Sequence, residues 1–111
     1  MESAKIRGLE FFYKVRKMIY LIVYDLNQPG QDHEAVDNLI RSTWSNGAAI
    51  RILQSTWLVQ SSMSAQQVSD KVRTVMDEND SIMVSKVEAG SGQAYAGWLP
   101  KTVWHWLVTH Q

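Results

Sequence analysis

Cysteine is absent from this chain. That excludes disulfide staples, thiolate nucleophiles, zinc–cysteine sites and iron–sulfur clusters, and it suits a reducing, cytoplasmic setting. Prolines number only two and glycines six in 111 residues, too few for collagen-like or low-complexity architecture. No apolar run approaches the ~20 residues needed to cross a bilayer. The longest near the start, Met18–Tyr24, stops at Asp25, so no membrane association is expected. No small-residue cleavage site follows it, which argues against a signal peptide. Excess charge is missing too, since 11 basic and 11 acidic residues cancel.

What is present describes one ordinary globular domain. The chain is 45% hydrophobic and 20% charged, enough apolar surface for a working core at this size. Charge is unevenly spread. Residues 1–17 hold five basic groups and two acids, and the remainder holds six basic and nine acidic residues. Phosphate-backbone binding depends on Lys and Arg displacing counterions, so a mildly acidic body is a poor general polyanion binder. The expected organisation is an N-terminal extension over 1–17 and a folded domain over 18–111. Leu9–Val15 reads as a short helix or as a poorly ordered terminus.

Hydrophobic periodicity supplies the elements. Ile19–Asp25 is short, β-branched and aromatic, apolar on both faces, and reads as a central strand. Asn27, Pro29 and Gly30 break it. Asp32, Glu34 and Asp37 gather at the start of a helix, where carboxylates are favoured, and Val36, Leu39, Ile40 and Trp44 form its apolar stripe. Asn46-Gly47 ends it. Ala49–Leu53 and Thr56–Gln60 are strands, interrupted at Gln54-Ser55 by a tight turn or bulge. Ser64 with Gln67 fits a capping box ahead of a helix with Val68, Val72, Val75 and Met76 on its stripe. Ser81–Glu88 is a fourth strand, Ala89–Gly97 a loop, and Pro100 opens a last helix over Lys101–Thr109. The fold class is therefore α+β, a ferredoxin-like βαββαβ sandwich with an extra C-terminal helix. Such a sheet carries both helices on one face, and dimerisation commonly covers the other.

Few residues suggest chemistry. Asp25 ends an otherwise apolar strand at the carboxyl edge of the sheet, where sites gather and a carboxylate can serve a hard metal ion. It can equally cap the turn through Asn27–Gly30. Asp77, Asn79, Ser81 and Glu88 echo an EF-hand loop, but Ile82 stands where glycine must turn and no exiting helix follows. Gly90, Gly92 and Gly97 lack the dinucleotide spacing. His33, His105 and His110 form no zinc pattern, and no serine sits in a nucleophile elbow. Tyr95, Trp98, Trp104 and Trp106 crowd the C-terminus, either as a stacking platform for bases or as pins for the last helix. The sequence offers no recognisable general base and no convergent arginines.

Together these segments resemble a known family. Met18–Asn27 is similar to the first strand of the smaller CRISPR adaptation protein, the Cas-two family, in which a Tyr-Asp pair ends the strand. Ile50–Val59 resembles its second and third strands, and Asp80–Val84 its fourth. The nearest variety is the SinR-like or Cas-two-like group, whose three recurrent motifs stand here at Tyr24–Gln31, Ser55–Trp57 and Tyr95–Pro100. The resemblance runs from about Met18 to the C-terminus. It implies a ferredoxin-like homodimer. In some members the strand-ending Asp of each subunit meets its mate and holds a divalent ion for endonuclease activity, a role that would fall on Asp25 with Mg²⁺ or Mn²⁺. The matched motifs nominate Asn27, Gln31, Ser55, Trp57 and Trp98 as binding residues.

Other members are scaffolds that brace a partner integrase and DNA, and related ferredoxin-like proteins occur as antitoxins and in phage–host conflict. Here Asn27–Gln31 replaces an arginine-containing segment, and the body is acidic. Both features favour a binding or regulatory homodimer whose partner is a protein, a nucleic acid or a nucleotide. The alternative is a metal-dependent endonuclease using Asp25 paired across the dimer axis.

Overall fold

The computed structural model describes residues 16–27, 33–88 and 95–111. Gln31, the turn after Asn27, most of the N-terminal extension and the tip of the glycine-containing loop lie outside the described residues. The described elements run β1 (Met18–Asp25), α1 (His33–Thr43), β2 (Ala49–Leu53), β3 (Thr56–Ser61), α2 (Ala65–Arg73), β4 (Ser81–Val87) and α3 (Lys101–Thr109). The four strands form one antiparallel sheet in the order β2-β3-β1-β4. The chain is thus an α+β domain with a four-stranded antiparallel sheet and three helices among its described residues. Within that set, no helix is long and apolar enough to cross a membrane.

β1 sits inside the sheet between β3 and β4, which is why its sequence is apolar on both faces. Its even-numbered residues Tyr20, Ile22 and Tyr24 join Val36, Ile40, Trp44, Trp57, Val59, Val68 and Val72 in the main core under α1 and α2. The expected stripe of α1 is therefore the face it buries. α2 begins with the capping box in full: Gln67 N–H donates to the Ser64 hydroxyl at 3.1 Å, and the Gln67 side chain accepts from Ser64 N–H at 2.8 Å. Such a cap contributes about 1 kcal/mol. α2 stops at Arg73, one turn short of the stripe, so Val75 is left exposed.

The second face differs from expectation. It is not left open by the chain itself, because α3 lies across part of it. Val103, Trp106 and Leu107 pack with Ile19 and Leu58 into a separate core cluster. The C-terminal aromatics do pin this helix. Trp106 Nε1 donates to the Gly47 carbonyl at 2.7 Å, and Trp104 Nε1 donates to the Leu99 carbonyl at 3.1 Å. Tyr95 stacks on Trp104 with centroids 6.4 Å apart. Asn46 and Gly47, which end α1, both take the left-handed conformation at φ 59° and 81°, the reason an Asn-Gly pair suits this position.

α3 covers only one end of that face. The registers align Leu53 with Thr56, Thr56 with Val23, and Val23 with Met83, a row running across all four strands. A register shift between Arg51 and Leu53 inserts Ile52 as an extra residue. After it Leu53 shares the face of Ile52, whereas Arg51 faces the other side. Leu53, Val23 and Met83 are 58%, 41% and 66% exposed, an apolar row that α3 does not reach.

Candidate functional site

Two places gather chemistry-bearing side chains, one on each face of the sheet. The first is the end of β1. Strand alternation sends Tyr24 inward and Asp25 outward. Asp25 pairs in register with Ser81, is exposed, and lies one row beyond Val23 and Met83. Among the described residues its carboxylate accepts no hydrogen bond. The turn is tied instead by Asp80, a buried acid whose carboxylate accepts from Asn27 N–H at 2.9 Å and from Asp77 N–H at 2.8 Å. The Asn27 side chain donates to the Asn79 carbonyl. Asn27 thus has a structural role, clamping the end of β1 to the loop before β4. Asp77 and Asp80 belong to that turn, not to a calcium loop.

No group of three metal-binding side chains occurs among the described residues. The described residues of one chain therefore do not by themselves supply a divalent-cation site at Asp25. The histidines stand apart as well. His105 is exposed, and the His110 ring stacks on Trp106 at 4.1 Å.

The second place is built around Trp57. This residue is 2% exposed and its ring is part of the core. Two guanidinium groups lie over that ring, Arg41 from the last turn of α1 and Arg51 from β2, each with its central carbon 5.1 Å from the ring centroid. Arg51 is the register partner of Trp57, which places its side chain on the same face. Arg51 also forms an ion pair with Asp37, and Asp37 Oδ1 accepts the Tyr24 hydroxyl at 3.0 Å. Among the described residues no carboxylate pairs with Arg41. Beside these groups, between the end of α1 and the edge strand β2, is a cavity of about 390 Å³ lined by Arg41, Ser45, Asn46, Gly47, Arg51 and Trp57 among others.

Of the other nominated residues, Ser55 sits in the β2–β3 turn and takes part through its backbone, accepting Tyr24 N–H at 3.1 Å. Trp98 is 101% exposed and is the one aromatic of the C-terminal group that pins nothing. Compared with protein-family models, curated proteins and solved structures, this chain matches none.

Burial pushes the Tyr24 hydroxyl above the ordinary tyrosine range, outweighing the lowering effects of Arg51 and of the neighbouring Ser55 and Trp57 side chains. Trp57 Nε1, although beside this hydroxyl, has no hydrogen bond of normal geometry. The raised value means that the folded state holds the phenolic proton more tightly than the unfolded chain. Its stabilising contribution is complete below pH 10.0, the unfolded value, and is lost as pH rises toward the folded value. Unfolding free energy measured by denaturant titration should therefore fall more steeply above pH 10.0 for the native chain than for Tyr24→Phe. Equal slopes would show that Tyr24 ionises as freely folded as unfolded.

Arg41 and Arg51 were not visible as a pair in the sequence. They lie on different elements, and only α1 crossing the β2–β3 hairpin brings them together. The available signal was weak: a basic residue one helical turn after Asp37, and another in an otherwise apolar strand.

Proposed function

We propose that this chain is a homodimeric binding or regulatory protein of ferredoxin-like architecture, assembled through the part of the sheet that α3 leaves bare. The observation that carries this reading is the exposed row Leu53–Thr56–Val23–Met83. Contiguous exposed apolar surface on a small domain marks an interaction site, and a sheet face can complement its own copy about a two-fold axis. Nucleic acid, a nucleotide or a partner protein would then be bound by the assembled dimer in a host–phage or regulatory setting. The βαββαβ plan and the resemblance to the Cas-two-like group support the architecture. Sedimentation equilibrium is expected to give a dimer for the native chain at micromolar concentration. Met83→Asp and Val23→Asp should shift it to monomer with unchanged far-ultraviolet circular dichroism. A native monomer would end this reading.

One observation favours a second reading, the metal-dependent endonuclease. Asp25 is exposed, accepts no hydrogen bond among the described residues, and borders the same apolar row, so a two-fold through that row would bring two Asp25 carboxylates toward each other. Like carboxylates held close repel, and Mg²⁺ or Mn²⁺ would relieve that repulsion. Asp25→Asn is then expected to leave the metal-free melting temperature unchanged or raised and to erase any stabilisation by added Mg²⁺ or Mn²⁺, together with any metal-dependent cleavage of DNA or RNA. If native protein shows neither a metal shift nor cleavage, the binding dimer stands alone.

A further inference from the structure

We infer that the cavity between the end of α1 and β2 binds a phosphate monoester, with the Arg41 guanidinium as its principal ligand. A guanidinium carries five N–H donors in a rigid fork that suits two oxygens of one anion, and contact with an indole through its π face leaves those in-plane donors available. Here both guanidinium carbons lie 5.1 Å from the same ring centroid, which bounds their separation at about twice that distance. The ring beneath them is buried, so both guanidiniums rest on a surface that belongs to the core.

Charge narrows the ligand. Two guanidiniums face one carboxylate, Asp37, which is already engaged by Arg51 and Tyr24. Arg41 is left without a carboxylate partner among the described residues. A surplus positive charge in a concavity calls for an anion. A phosphate monoester offers three terminal oxygens and up to two charges, enough to engage the Arg41 fork while also reaching toward Arg51. The cavity, at about 390 Å³, falls in the size range of small-ligand pockets and exceeds what a bare ion needs. It leaves room for the esterified group beside the Ser45 hydroxyl and Asn46 amide. The competing account is that Arg41 merely offsets the partial negative charge at the C-terminus of α1. The site is on the opposite face of the sheet from Val23 and Met83, so it does not depend on the proposed dimer.

The test uses the full chain at fixed ionic strength, with chloride as the control salt. Titration calorimetry with inorganic phosphate, adenosine 5′-monophosphate, a 5′-phosphorylated oligonucleotide and its 5′-hydroxyl counterpart separates the sources of the phosphate. Binding of the monophosphate, or of the 5′-phosphorylated strand in preference to the 5′-hydroxyl strand, is expected. Arg41→Gln should weaken it by about tenfold or more, the worth of one charge-assisted hydrogen bond. Arg41→Lys, which keeps charge without the fork, should restore only part. The inference is overturned if the monophosphate binds no better than chloride and the 5′-phosphorylated strand binds no better than its 5′-hydroxyl counterpart. It is likewise overturned if Arg41→Gln lowers the melting temperature while leaving phosphate affinity intact. Sedimentation of Arg41→Gln should match the native chain, which keeps a failure here distinct from a failure of the dimer.

Discussion

Trp57→Ala is expected to lower the unfolding free energy by about 3–5 kcal/mol, the usual cost of removing a large buried aromatic. The side chain is 2% exposed and is the largest fully buried one among the described residues. It projects from β3 into the core beneath α1 and α2. Its loss leaves a cavity bordered by Tyr24 and strips two arginines of the surface on which they rest. Trp57→Phe keeps a ring at the same place and should lose less. Equilibrium urea denaturation measures both. A loss for Trp57→Ala comparable to that of a surface substitution would mean that the ring is not part of the core.

The second large effect falls on Asp37. Asp37→Ala removes the acceptor of the buried Tyr24 hydroxyl and the partner of Arg51 in one step. Breaking a fully buried pair costs about 3–5 kcal/mol. The Arg51 side chain is 37% exposed, so water takes up part of the loss and about 2–3 kcal/mol is the expected result. Asp37→Asn keeps an acceptor for Tyr24 and should recover part of it. The same denaturation experiment decides. If Asp37→Asn and Asp37→Ala are equally destabilised, the Arg51 ion pair, not the tyrosine hydrogen bond, carries the effect.

Local rules located the elements well, because each rests on neighbours in sequence. The continuous β-branched run of β1, the Ser64–Gln67 reciprocal cap and the proline before α3 all specify backbone states within a few residues. The interruption at Gln54-Ser55 marked the right hairpin, although the register shift lies just ahead of it, at Ile52. What sequence could not show was which face a terminal helix would cover. α3 has apolar and aromatic residues on several sides, so its pattern does not name its partner surface. Its tie to the Gly47 carbonyl is a contact 59 positions away.

The candidate sites were legible to different degrees for the same reason. Asp25 stood out because a lone acid ends an apolar strand, a local contrast. Trp57 stood out through its motif, and alternation places it inward, where its ring lies beneath Arg41 and Arg51. Arg41 and Arg51 escaped notice because their meeting depends on helix phase and strand register together. Asp80 was passed over inside an acidic run, and only the fold distinguishes it as the residue that closes the turn against Asn27.

The bond from Trp106 to Gly47 has a consequence for energetics at a distance. Gly47 belongs to the rim of the arginine-lined cavity, and its carbonyl is held by a helix on the opposite face of the sheet. A ligand that binds better to the rim as this bond holds it would share a coupling free energy with docking of the C-terminal helix. Such coupling is reciprocal: that ligand would slow amide hydrogen exchange in Lys101–Thr109, and loss of the helix would weaken its binding.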